Sequence, residues 1–246
     1  MANEIYNTTW WGNPVQNGWG GIYYDYASGG VETAFVFTVQ TDNVGTSAAN
    51  QFTIPITSAT PYNIKTSDGQ SITGVTGATT LTFPSAGEYE IKISESCEGW
   101  RFAGGGDRLK LLNISNWGVF RSTASGTFQG SRNMTCSAVD VPLYAPANMI
   151  YAFRDCRSFN GAIGNWDVSN ITDLQAAFYD CRVFNQDLSA WDVSNVTNLI
   201  ETFFWANEFN GDVSTWNTSN IRTLYRTFSR TAFNGDLSGW DVSNVV

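Results

Sequence analysis

The sequence predicts a multidomain, β-rich protein in which a β-sandwich precedes an α/β solenoid of short repeats. Two observations carry this. The C-terminal third repeats itself every 25 residues, and a fixed period of this length marks stacked units, none of which can bury its apolar side alone. Before it, residues 33–96 hold short alternating apolar runs separated by turn residues, as in an antiparallel sandwich.

The repeat is explicit. Phe153, Phe178, Phe203 and Phe228 stand 25 apart, as do Leu174, Leu199 and Leu224. Trp166, Trp191 and Trp216 keep the step, and Trp240 arrives one residue early. The surrounding text nearly recurs: FNGAIGNWDVSN, FNQDLSAWDVSN, FNGDVSTWNTSN, FNGDLSGWDVSN. One unit reads Leu188-x-x-Trp191-x-Val193-x-x-Val196-x-x-Leu199-x-x-x-Phe203-x-x-Ala206. Its first part has leucine-rich-repeat spacing, with Trp at the second site. Trp191 and Val193 are expected to face the core from a short strand, with Asp192 outward. Leu199, Phe203 and Ala206 then fall at i, i+4 and i+7, one face of a short helix. Thr172 and Gln175 form a capping-box start for that helix in the preceding unit. The expected unit is strand, turn, helix and return loop.

In residues 33–96, AFVFTVQT alternates, with Phe35, Phe37, Val39 and Thr41 on one side. QFTIPI, YNIKT, TTLTF and EYEIKIS follow, punctuated by Asp42-Asn43, Ser67-Asp68-Gly69 and Ser85-Ala86-Gly87. Residues 97–150 form a transition. Phe128 lies 25 before Phe153, and Met149 lies 25 before Leu174. Atypical units there are expected to start the solenoid near residue 109 and to cap it. The Gly-rich run at 104–108 lacks the Lys-Ser/Thr of a phosphate loop and reads as a turn. Residues 1–32 are dense in aromatics, among them Trp10, Trp11, Trp19, Tyr23 and Tyr24. Either they cover the next domain or they anchor the chain in a larger assembly.

Composition excludes several functions. A net charge of -9 argues against nucleic acid and anionic lipid. The absence of His removes Ser-His-Asp and Cys-His catalysis and His-ligated metals. Cys97, Cys136, Cys156 and Cys181 include no C-x-x-C pair, so a zinc site is not expected. Cys156 and Cys181 share a repeat position with Ala206, which reads as a small buried core site, with a disulfide stacked between repeats as the lesser alternative. No run approaches the roughly 20 apolar residues of a membrane span. The N-terminus lacks the basic and apolar regions of a secretory signal.

Function is expected on the outward positions of the predicted strands. These are Asn165, Asp167 and Ser169; Ala190, Asp192 and Ser194; Thr215, Asn217 and Ser219; and Gly239, Asp241 and Ser243. Adjacent strands would bring Asp167 and Asp192 close. Screening by water is favoured over a bridging calcium, since no ligand cage is evident. A second acidic row, Asp187, Asp212 and Asp236, reads as turn caps. The rows Asn170, Asn195, Asn220, Asn244 and Asn160, Asn185, Asn210, Asn234 read as structural amide ladders. A hydrolase with Asp167 and Asp192 as paired carboxylates is the weaker alternative, because the repeat itself explains a recurring Asp.

FNQDLSAWDVSNVTNL resembles the repeat of the BspA-like bacterial surface proteins, a leucine-rich-repeat subtype, over roughly residues 109–246. TTLTFPSAGEYEIKIS resembles the end of a polycystic-kidney-disease-type immunoglobulin-like domain, although Ser67-Asp68-Gly69 replaces the usual Gly-Asp-Gly. The resemblance implies non-enzymatic adhesion to host proteins, glycans or neighbouring cells. The family also occurs in bacteriophage fibres. Without an export signal, the expected protein is a fibre or decoration protein on the exterior of a virion or phage-tail-like particle. Residues 1–32 would bind other assembly proteins and the solenoid the host surface, with a homo-oligomer compatible. A bacterial cell-surface adhesin is the alternative.

Overall fold

The computed structural model describes residues 33–246, together with the backbone of two strands, β1 (Asn13–Gln16) and β2 (Ile22–Asp25). These two pair antiparallel, with Val15 opposite Tyr23 and Pro14 opposite Tyr24. Trp10, Trp11 and Trp19 of the expected anchor lie outside the described residues.

The sandwich is built from β3 (Phe35–Gln40), β4 (Gln51–Ile54), β5 (Tyr62–Thr66), β6 (Ser71–Val75), β7 (Thr79–Thr82) and β8 (Glu88–Ser94). Two-residue alternation drives β3. Phe35, Phe37 and Val39 are fully buried, while Thr38 and Gln40 are half-buried. β3 pairs antiparallel with β8, placing Phe35 opposite Ile93 and Phe37 opposite Ile91. β4 and β7 form a separate pair, with Phe52 opposite Leu81.

The main sheet does not stop at residue 96. Beyond β9 (Cys97–Glu98), it takes in β10 (Leu111–Asn116) and, past β11 (Phe120–Arg121), β12 (Thr135–Cys136), in the order β12-β10-β3-β8-β5-β6. β10 is antiparallel to β3 but parallel to β12, as β9 is to β11. These parallel pairs join residues 22 or 23 positions apart, such as Asn113 with Thr135 and Cys97 with Phe120. β10 therefore belongs to the sandwich and to the first stacked coils at once, and one apolar cluster runs from Phe35 to Ile221. At the junction Gly118 has φ 41°, and a Cβ there would lie 2.1 Å from the Thr33 carbonyl oxygen, so the close approach requires glycine.

The repeat region corrects the expected fold class. No α-helix occurs among the described residues, and residues 137–246 contain no strand, only bridges linking Asp173 to Asn198 and Asn198 to Thr223. The α/β leucine-rich-repeat solenoid is thus overturned; the protein is β-rich, and its repeats stack as runs of turns. The expected helix fails on its hydrogen bonds. In a helix each N–H would reach the carbonyl four residues back. Instead, the amides of Glu201, Phe203 and Trp205 donate to Tyr225, Thr227 and Ser229 of the following unit, at 2.8, 3.0 and 3.1 Å. The intervening amides of Thr202, Phe204 and Ala206 close turns onto the carbonyls three residues back. Two residues four apart in each unit adopt left-handed backbone: Tyr151 and Asp155, Ala176 and Asp180, Glu201 and Trp205, Arg226 and Arg230. None is glycine, so each costs about 1–2 kcal/mol, offset by the inter-unit ladder. Leu199, Phe203 and Ala206 are nevertheless fully buried on one face, because the run of turns presents nearly the helical set of residues inward. The capping box is replaced too: the Gln175 amide donates to Asp173 Oδ1 at 2.7 Å, and Ile200 does the same to Asn198 at 2.8 Å.

Stacked rings hold the units together. Successive rings from Phe128 to Phe228 lie 5.5–5.6 Å apart, nearly parallel from Phe153 onward. Phe159, Phe184, Phe209 and Phe233 form a second column at 5.9–6.1 Å. Trp191 and Trp216 stack at 6.5 Å, and each indole N–H reaches a carbonyl of the unit before, Ile163 or Leu188. Burying a Phe side chain contributes about 1.5–3 kcal/mol, so these columns dominate the cohesion.

Candidate functional site

The positions expected to bind a partner lie on one edge of the stack. Asn165, Asp167, Ala190, Asp192, Thr215, Asn217, Gly239, Asp241 and Ser243 are exposed, and Ser169, Ser194 and Ser219 are half-buried. They occupy turns and irregular backbone, not strands. The acidic members already have partners. Asp167 accepts the Ser169 amide at 3.1 Å, Asp192 that of Ser194 at 3.0 Å, and Asp241 that of Ser243 at 2.9 Å, while Asn217 does the same for Ser219 at 3.2 Å. Asp187, Asp212 and Asp236 bind the amides of Ser189, Ser214 and Ser238 at 2.8 Å. The recurring D-x-S spacing, with Asn217 standing in once for Asp, is therefore a device for turns.

These bonds favour the ionised carboxylates. Hydrogen bonding from Ser169 holds Asp167 below the usual carboxylate range, against a weaker opposing push from Asp192. Asp192 and Asp241 are lowered by Ser194 and Ser243 in the same way. Among the described residues no group of three or more His, Cys, Asp or Glu is placed to hold a metal ion.

Both asparagine rows form ladders. Asn160, Asn185 and Asn210 each accept, through Oδ1, the backbone amide of the next row member, at 3.0, 2.8 and 2.8 Å. Asn195, Asn220 and Asn244 donate side-chain amides to Ser169, Ser194 and Ser219 carbonyls at 2.7–2.8 Å. Cys156 and Cys181 are buried in one column with Ala206, their thiols donating to the Phe128 and Phe153 carbonyls.

A different surface carries side chains that stacking does not dictate. The run of left-handed turns exposes Tyr151, Arg154, Tyr179, Trp205, Tyr225, Arg226 and Arg230 to varying degrees. At equivalent repeat positions the residues differ: Tyr151, Ala176, Glu201, Arg226 in one column and Asp155, Asp180, Trp205, Arg230 in another. The arginines lie over rings. Arg154 is 4.4 Å from the centre of Tyr179 and 5.4 Å from Tyr151. Arg226 lies 4.9 Å from Tyr225 and 5.6 Å from Phe204, and Arg230 is 5.6 Å from Trp205. Tyr225 is 57% exposed and Trp205 38%. Tyr, Trp and Arg are the residues that most often carry binding energy at interfaces. Sequence reasoning missed this array because it followed the invariant rows; the signal was the variable column, filled with aromatics and arginine.

One buried charge network also escaped notice. Asp107 accepts the amides of Thr46, Ser47 and Thr53 at 2.7–3.0 Å. Lys110 Nζ donates to the carbonyls of Ser47, Ala48 and Gln51. Both side chains are buried and pin the loop before β4 to the first coils; the Gly-rich run at 104–108 thus ends in a structural anchor.

A protein-family model described as "Mycoplasma protein of unknown function, DUF285" matches residues 147–246, which is the stacked region and less than half of the chain. No curated protein and no solved structure matches the chain.

Proposed function

We propose that this chain is a non-enzymatic attachment protein of the BspA-like surface type, whose stacked repeats bind a partner surface through the arginine–aromatic array. The observation that supports this most is the array itself. Stacking accounts for the Phe, Trp and Asn rows, whereas Trp205, Tyr225, Arg226 and Arg230 stand at variable positions and leave their rings and guanidinium edges to solvent. The edge of Asp167 and Asp192 is a poor hydrolytic centre: a glycosidase needs one carboxyl raised to act as acid, and both are lowered. The sandwich serves as the platform, and the aromatic N-terminal segment joins the chain to its particle or cell.

The test is adhesion of the full protein to a panel of bacterial and host cells. Replacing Trp205 and Tyr225 with Ser, and Arg226 and Arg230 with Gln, should abolish adhesion with the fold retained. The Asp167→Asn, Asp192→Asn pair should leave adhesion intact. Retained adhesion in the array variant would overturn the reading. Whether the setting is a phage-like particle or a cell is decided by immunogold labelling of the native source; deletion of residues 1–32 should release the protein from either.

A further inference from the structure

We infer that the array recognises a carboxylate-bearing polysaccharide, of the uronic-acid class. This rests on the attachment reading above and adds the chemistry of its partner. From residue 147 onward every cation is an arginine, six of them, and no lysine occurs. Arginine differs from lysine in that its planar group can stack on a ring while its N–H edge still forks onto a carboxylate. Both halves of that behaviour are present. Arg157 and Arg182 direct their edges at Asp180, which shows the recognition the site performs internally. Arg226 and Arg230 lie against Tyr225 and Trp205. Of the two, Arg230 is without a carboxylate at ion-pair distance among the described residues, and Arg226 is held only by a long contact, 3.7 Å, to Glu201.

The partner must therefore bring carboxylates, and it must also cover the exposed rings. A uronate supplies both from one monomer: a charged group on the rim and a face of C–H bonds that packs on an aromatic ring. Arginine–ring pairs occur at both ends of the stack, Arg154 with Tyr151 and Tyr179, and Arg226 and Arg230 with Phe204, Tyr225 and Trp205. A polyuronate, which carries a carboxylate and a C–H face in each monomer, can engage such pairs wherever they lie along it, whereas an acidic polypeptide offers the carboxylate without that face. The overall charge of -9 opposes long-range attraction of any polyanion, so binding must come from the local arginine–ring contacts, charges beyond about 8–10 Å being screened at physiological salt.

The experiment uses the full chain and three probes in calorimetry: oligogalacturonate, the same oligomer with methyl-esterified carboxylates, and poly-glutamate. Oligogalacturonate should bind, more weakly as salt rises, and the ester should not. Arg226→Gln with Arg230→Gln should weaken binding at least about tenfold, the loss of charge-assisted hydrogen bonds. Trp205→Ala should weaken it about tenfold without altering charge, and Asp241→Asn on the other edge should have no effect. Circular dichroism confirms that each variant is folded. No binding of oligogalacturonate, or equal binding of poly-glutamate insensitive to Trp205→Ala, would overturn the inference. Cell adhesion that needs the array, without uronate binding, would sink the glycan assignment alone; adhesion that ignores the array would sink the attachment reading itself.

Discussion

Arg157 of one repeat forks onto Asp180 of the next, with both Nε and Nη2 2.8 Å from Oδ2. Arg182 closes the other oxygen at 2.7 Å. Asp180 is only 2% exposed, whereas its two partners keep a third to a half of their side-chain surface in water. The charge is tolerable because two cations share it. Replacing either arginine with Met should cost about 1 kcal/mol or less, since the other remains. Replacing both leaves a buried, unpaired carboxylate and should cost about 3–5 kcal/mol. Urea unfolding of the two singles and the double measures this; additivity of the single losses would contradict it.

Phe203 sits between Phe178 at 5.5 Å and Phe228 at 5.6 Å, with Phe209 at 3.9 Å. Phe203→Ala opens a gap inside the column and should cost about 3–5 kcal/mol. Phe228 occupies the same position one unit on but is only partly buried, so Phe228→Ala should cost about half as much. Equal losses at the two sites would show that ring burial does not set the cohesion of the stack.

Much of the architecture was readable because stacking forces identical residues into register. The Phe, Trp and Asn columns, the small column of Cys156, Cys181 and Ala206, and the alternation of Phe35, Phe37 and Val39 all follow from periodicity. The helix misled for a physical reason. Leu199, Phe203 and Ala206 mark which residues point inward, but not which carbonyl each amide finds, and a neighbouring unit outcompeted the residue four back. Asp187, Asp212 and Asp236 cap turns as their spacing suggested, and Asp167, Asp192 and Asp241 make the same local D-x-S turn. Arg230 and Trp205 were hidden because they break the period, and Asp107 and Lys110 because a single buried pair leaves no pattern.

The thiols provide a chemical test of burial. Burial pushes Cys97, Cys156 and Cys181 well above the ordinary thiol range, and raises the half-buried Cys136 to about 11. The thiolate is the reactive form, so none of the four should react quickly with a thiol reagent in the native protein at pH 7. Cys136 should react first, at a rate climbing as pH approaches 11, and the other three only on unfolding. Rapid native-state labelling of Cys156 or Cys181 would mean that the column opens.

Acid should loosen the stack through its turn carboxylates. Asp187 and Asp236 are lowered by the amides of Ser189 and Ser238, and Asp167, Asp192 and Asp241 by the side chains of Ser169, Ser194 and Ser243. A group that binds its proton less readily when folded contributes stability above its unfolded value, about 3.9 for Asp, and loses that contribution as pH falls through its folded value. The melting temperature should therefore hold steady above about pH 5 and decline below pH 4 as these groups protonate. Asn217 makes the same turn without a charge, at 3.2 Å. Replacing Asp187, Asp192, Asp236 and Asp241 with Asn should preserve the fold at neutral pH and flatten the acid limb. A wild-type melting temperature unchanged between pH 5 and pH 2.5, or an Asn variant with the same acid limb as the wild type, would show that these bonds do not couple protonation to the stack.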